Sequence, residues 1–122
     1  FLKRKGRRAI GWDEILEGGL AKGATVQSWR GMKGAVAAAR AGHDVLASPY
    51  SHTYLNMRQL TLKTCYAFDP VPPQLTKRQA RHVLGAEAAM WTEFADPLNA
   101  ERQLYPRLSA LAETFWSEAP RN

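Results

Sequence analysis

An α/β fold with a parallel sheet is what this sequence predicts, and two observations carry the prediction. Short runs with β-type alternation are separated by helix-like runs, at intervals that suit right-handed βαβ crossovers. The 122 residues are also 45% hydrophobic and 23% charged. That balance belongs to a chain that buries a core, and it excludes a collagen, a coiled coil and a chain disordered throughout. The length is enough for one small domain or for a piece of a larger one.

Arg8-Ala9-Ile10-Gly11-Trp12 reads as a first strand. Asp13 to Leu20 follows as a loop or short helix, stopped by Gly18-Gly19. Ala24 to Trp29 alternates β-branched with polar positions and is a better strand. Met32 to Ala41 is rich in Ala and closed by Gly42, the usual residue just past a helix end. Asp44 to Ser48 is the third strand, ended by Pro49. Residues 50–75 show no sustained period, and such a long irregular stretch in a small domain is expected to be a functional loop region. Thr76 with Gln79 three residues on is a capping-box start, and Gly85 a stop, which predicts a helix over Thr76 to Leu84. Gly85 to Trp91 is then the fourth strand, weak by propensity. A last helix runs from about Asn99 to Trp116, with Leu104, Leu108, Leu111, Ala112 and Phe115 on one face and Pro106 kinking or delaying its first half.

Parallel sheets of this kind bind ligands at the carboxyl ends of their strands. Trp12, Trp29 and Trp91 each close a predicted strand, so three of the four tryptophans gather on one rim. Taken singly, each would be a core aromatic. Taken together they predict an aromatic pocket, and indole faces with a carboxylate nearby suit a sugar. Its C–H face packs on aromatic rings while its hydroxyls need fixed partners. Glu93, two residues past Trp91, is placed to accept from such hydroxyls.

Other chemistries find less support. The net charge is +6, but five of the 17 Lys and Arg stand at positions 3, 4, 5, 7 and 8, and the other 12 face 11 acids. The excess is one basic terminal segment, residues 1–8, and not a basic face, so no nucleic-acid partner is expected. No apolar run approaches the roughly 18 residues of a membrane helix, and nothing at Phe1 reads as a signal peptide. Cys65 is alone and cannot form an internal disulfide. His43, His52 and His82 share no metal-ligand spacing, so neither a metal nor a cofactor is expected. His43 and His82 read as structural, whereas His52 lies close enough to Tyr54 to touch a ligand. Gly31-Met32-Lys33-Gly34 lacks the frame of a phosphate-cradling loop, and Lys77, Arg78 and Arg81 read as a solvated helix face.

Several segments, in order, resemble the family 20 glycoside hydrolases, the β-N-acetylhexosaminidases. They are Gly11-Trp12-Asp13-Glu14-Ile15, Gln27-Ser28-Trp29-Arg30-Gly31, Tyr54-Leu55-Asn56 and Trp91-Thr92-Glu93. Asp69-Pro70-Val71-Pro72, Tyr105-Pro106-Arg107-Leu108, Leu111-Ala112-Glu113 and Trp116-Ser117 are similar to that family too. The resemblance covers nearly the whole chain and is specific in combination. It implies a (β/α)8 barrel, which needs about 250 residues. The chain then corresponds to the C-terminal half of a TIM-type barrel, about strands five to eight, and residues 1–122 to a partial catalytic domain.

The resemblance further implies removal of terminal N-acetylglucosamine or N-acetylgalactosamine with retention, the substrate's own acetamide oxygen attacking the anomeric carbon. In the family an Asp-Glu pair orients the acetamide and protonates the leaving oxygen. That pair belongs to a His-x-Gly-Gly-Asp-Glu type motif, expected upstream of Phe1. The one adjacent Asp-Glu here, Asp13-Glu14, matches a different motif and takes no acid role. By resemblance Trp12, Trp29 and Trp91 wall the acetamide and sugar ring, and Tyr54 donates its phenol to the acetamide carbonyl. Glu93 binds outer hydroxyls. Asn56 stands where the pattern usually has Asp, which removes a charge and weakens any bond to a hydroxyl.

The chain alone is therefore expected to be inactive. Exposed strand edges and an uncovered barrel interior are expected to make it associate with the remaining half, with itself, or aggregate. The family resemblance places the parent outside the cytoplasm, secreted or periplasmic. The alternative reading is a non-catalytic carbohydrate-binding or interaction module with the same aromatic rim.

Overall fold

The computed structural model describes residues 1–95 and 97–117. The expected partial domain, 1–122, extends past these, since Asp96 and residues 118–122 lie outside the described residues. Four parallel strands form one sheet in sequence order: β1 (Ile10–Trp12), β2 (Thr25–Ser28), β3 (Val45–Ala47) and β4 (Val83–Ala86). Each pairs in parallel with the next. Neighbouring strands that follow one another in sequence, all parallel, are the arrangement of consecutive barrel strands.

The first crossovers follow the sequence closely. Asp13–Leu16 is a 3-10 turn, and α1 (Met32–Arg40) returns the chain from β2 to β3. Ala35, Ala38 and Ala39 bury their small side chains against Val26 and Val45, which lets α1 lie close on the sheet. Gly42, at φ 80°, closes the helix as expected, its N–H bonding to Ala39 O and that of His43 to Ala38 O. Gly34 marks the closest approach, since a Cβ there would stand 2.8 Å from Ser28 Oγ and 3.1 Å from the Asp13 Cβ.

The second half departs from the expected pattern. Residues 50–75 are not irregular throughout: they hold α2 (Tyr50–Thr53) and α3 (Leu62–Tyr66), the latter capped by Thr61 Oγ1. The Thr76–Gln79 capping box is present, but its helix α4 is only Lys77–Ala80. The chain turns into β4 at Val83, ahead of Gly85, because Val45 N–H donates to His82 O and draws the β-prone Val83 into the sheet. Gly85 is no helix stop. It sits inside β4 at φ 149°, where the pairing with β3 slips between Val45 and Leu46. Glu87 to Trp91 is not strand: Glu87 N–H still donates to Ala47 O, but β3 ends at Ala47, before Pro49, and the ladder stops there. A single parallel bridge, Tyr54 to Ala89, takes over.

The predicted last helix is two helices, α5 (Ala100–Leu104) and α6 (Arg107–Trp116), divided at Tyr105-Pro106. Ala110, Leu111 and Thr114 are the buried side of α6, and Ala112, expected on that face, is exposed. Ala110 and Leu111 close a core with Ala47, Leu55, Leu60, Cys65 and Phe68. This second core ties β3, the 54–60 turn, α3 and α6 together behind the rim. Among the described residues no helix is long and apolar enough to cross a membrane.

Candidate functional site

At the carboxyl ends of the strands lies a cleft of about 350 Å³, within the roughly 300–1,000 Å³ range of small-molecule sites. Every residue singled out from the sequence for this rim lines it: Trp12, Trp29, Tyr54, Asn56, Trp91 and Glu93. Trp12 ends β1 and Trp29 follows the last residue of β2. Trp91 does not close a strand, contrary to expectation. It precedes the 3-10 turn Thr92–Phe94, well past β4. It reaches the rim because Leu55 N–H bonds to Ala89 O at 2.8 Å and Ala89 N–H to Thr53 O at 3.0 Å, drawing residues 53–55 and 89–91 side by side.

The rings form a continuous wall. Trp29 and Tyr54 stack at 6.4 Å between centroids with 21° between planes. Tyr54 and Trp91 stand at 6.1 Å, and Trp91 and Trp12 at 6.0 Å. Tyr54 is 5% exposed. Burial pushes its phenol pKa above the ordinary value, the Glu87, Asp13 and Glu14 carboxylates add to this, and the Trp91 indole works the other way. The phenol therefore keeps its proton at neutral pH and can donate a hydrogen bond. Asn56 is 7% exposed, and its Oδ1 accepts the Trp91 N–H at 3.4 Å. At least part of the Asn56 amide thus serves the wall itself.

Two lining residues escaped the sequence reading, Glu14 and Met57. The Trp29 indole N–H lies 3.1 and 3.2 Å from the two Glu14 carboxylate oxygens, which fixes the ring from behind its edge. Glu14 stands two residues past Trp12, at the end of β1, but its bond across the fold to Trp29 leaves no local trace in the sequence. Its neighbour Asp13 faces the scaffold. Asp13 is 2% exposed, and its Oδ1 takes the Arg30 Nε–H at 2.6 Å. The Arg30 guanidinium also reaches Glu17 at 2.8 Å. Ser28 Oγ donates to Gly31 O at 2.6 Å and accepts from Ala35 N–H at 3.0 Å, gripping the first turn of α1. The Asp13-Glu14 pair is thus divided between scaffold and cleft.

His52 does not line this cleft. Its ring packs on Phe68 at 5.2 Å, its Nδ1 is 2.8 Å from Ser51 Oγ, and burial lowers its pKa. His43 Nδ1 pairs with Ala24 O and His82 Nδ1 with Asp44, both as structural groups. Among the described residues no three His, Cys, Asp or Glu side chains are placed to hold a metal ion.

The model of the glycosyl hydrolase family 20 catalytic domain matches residues 1–119. A beta-hexosaminidase of Porphyromonas gingivalis is 44% identical over 95% of the chain, and the chain spans only 17% of that protein. The X-ray structure of a Flavobacterium johnsoniae chitobiase superposes with a TM-score of 0.85 at 32% identity, over 98% of this chain and 19% of that one. An exo beta-N-acetylglucosaminidase of Vibrio harveyi, solved with N-acetylglucosamine, superposes with a TM-score of 0.83 at 28% identity, over 95% and 21% of the two chains. Catalytic domains of this family are TIM barrels, and the four parallel strands are part of one. The chain belongs to glycosyl hydrolase family 20, in its catalytic domain.

Proposed function

We propose that these residues are one side of the substrate site of an exo-acting β-N-acetylhexosaminidase, which releases terminal N-acetylglucosamine or N-acetylgalactosamine from glycans. The observation that carries the reading is the buried Tyr54 phenol, protonated and set between Trp29 and Trp91 in a cleft walled by indoles. The N-acetylglucosamine bound by the Vibrio harveyi relative supports the same ligand class here.

In this reading Trp12, Trp29 and Trp91 enclose the sugar ring and its acetamide, so the carbonyl oxygen meets the anomeric carbon in a restricted set of poses. That is catalysis by orientation. As the carbonyl oxygen attacks, the oxazolinium ring forms and the leaving oxygen departs to the anomeric carbon's other side. Tyr54 O–H donates to the acetamide oxygen and holds it in line with the anomeric carbon as the oxazolinium ring closes. Glu93 accepts from outer hydroxyls of the sugar, and Asn56 meets them without a charge. The carboxyl pair that protonates the leaving oxygen belongs to the rest of the barrel, so residues 1–122 act as a partial catalytic domain whose partner is the remaining barrel. Residues 50–75 then serve as its loop region, Tyr54 and Asn56 being their contribution to the cleft.

The test is Tyr54→Phe in the full-length protein, assayed on an aryl N-acetylglucosaminide. Without the phenol's hydrogen bond the attacking oxygen is no longer held in line, and a misplacement of about 1 Å costs on the order of a hundredfold in kcat, while the melting temperature should stay within a few degrees. An unchanged kcat sinks the assigned role. Nothing specific in the structure favours the non-catalytic module.

A further inference from the structure

We infer that Arg107 is a positioning residue for Tyr54 and Asn56, an inference that rests on the role proposed for Tyr54. Arg107 opens α6 and does not line the cleft. Its guanidinium reaches the back of the turn that carries both side chains. Nη2 donates to Leu55 O at 2.7 Å, and Nη1 donates to Met57 O and Leu60 O at 3.0 Å each. Nη2 also donates to Gln103 O in α5. Leu55 directly follows Tyr54 and Met57 directly follows Asn56, so the fork holds the carbonyl next to each cleft residue. All four terminal N–H groups are used, in a planar spread that a lysine ammonium cannot reproduce from one point.

The location argues that the fork is there for the turn and not for the helix. A cation in a first helical turn opposes the macrodipole, and the first turn of α6 carries no acidic residue to offset it. The charge is instead taken up by backbone carbonyls, two of them belonging to the buried Leu55 and Leu60. Charge-assisted bonds of this kind are about twice as strong as neutral ones. Tyr54 itself is fixed from the other direction by the Ala89 bridge and the Trp29 stack. With the fork removed, the turn keeps its hydrophobic anchors and loses its fine placement. A misplacement of about 1 Å at a reacting group costs on the order of a hundredfold.

The experiment is a double-mutant cycle in the full-length protein, with Arg107→Lys, Tyr54→Phe and the double variant, read as kcat and KM on an aryl N-acetylglucosaminide. Rates are normalised to the folded fraction from thermal melts. Arg107→Lys is expected to lower kcat at least about tenfold while KM moves about threefold or less, and to cost about twofold or less in the Tyr54→Phe background. Equal losses in both backgrounds, or a wild-type kcat in Arg107→Lys, overturn the inference. If Tyr54→Phe alone turns over at the wild-type rate, the underlying role of Tyr54 has failed, and this inference goes with it. Should Arg107→Lys not fold, Arg107→Gln runs the same cycle, and failure of both to fold assigns Arg107 a purely architectural role.

Discussion

The β1–β3 side of the cleft and the side built from residues 50–60 and 83–93 hold their aromatic residues by different means. On the first side Trp12 and Trp29 come directly off strand ends, and the strands are kept in place by α1, the Asp13–Arg30 pair and the Ser28 hydroxyl. On the second, Tyr54, Asn56, Trp91 and Glu93 come off turns, joined by one bridge, one Asn56 bond and the Arg107 fork. Regular βα units give a rigid wall for little sequence. The irregular side gives freedom to aim a phenol and an amide, and needs dedicated side chains to keep that aim.

That contrast can be broken at several points. The largest effect is expected on the irregular side, where Tyr54→Phe should lower kcat of the full-length protein on the order of a hundredfold and leave stability nearly untouched. Substitution in the regular side should do the reverse. In Gly34→Ala the new methyl meets Ser28 Oγ at 2.8 Å and Asp13 at 3.1 Å, which forces α1 off the sheet. Overpacking of this kind costs about 1–3 kcal/mol, readable by urea unfolding, with kcat per folded molecule reduced less than twofold. A kcat loss as large as that of Tyr54→Phe would show that the two sides are not separable.

A smaller effect concerns pH. Burial lowers the His52 pKa below its ordinary 6.5, so the unfolded chain binds more protons there than the folded one. The contribution is fully present above pH 6.5 and is lost as pH falls through the lower folded value. His52→Leu should flatten the acid side of the stability profile in that window, and an unchanged slope would show that another group sets it. The smallest effect is chemical. Cys65 is buried among Leu55, Leu60, Phe68 and Leu111, and burial raises its thiol pKa. Its reaction with a water-soluble disulfide reagent should await unfolding of the second core; rapid labelling of the native protein would show that this core opens more easily than that beneath α1.

The same division decides what could be read from the residues alone. Gly42, the Thr76–Gln79 box and Pro106 are local signals, and each acts where the sequence places it. The start of β4 is not legible locally, because it depends on pairing with β3, a partner far away in sequence that outweighs the helix signal from Thr76. Trp91 joins the rim without ending a strand, for the same reason: its position comes from residues 53–55. The rim residues were legible as residue types, and the resemblance brought in Tyr54, but the roles of Glu14 and Arg107 were not. Both act by hydrogen bonds across the fold, which no local pattern announces.

The bond between Glu14 and the Trp29 indole has a consequence for the entropy of recognition. Turning that ring would break its bond to the Glu14 carboxylate on one side and its stack with Tyr54 on the other. The ring is therefore ordered before any ligand arrives. The rotamer freedom that an interface side chain loses on binding, about 0.5–1.5 kcal/mol, has at Trp29 been lost already in folding, so a ligand closing onto this wall meets a surface that has little left to freeze.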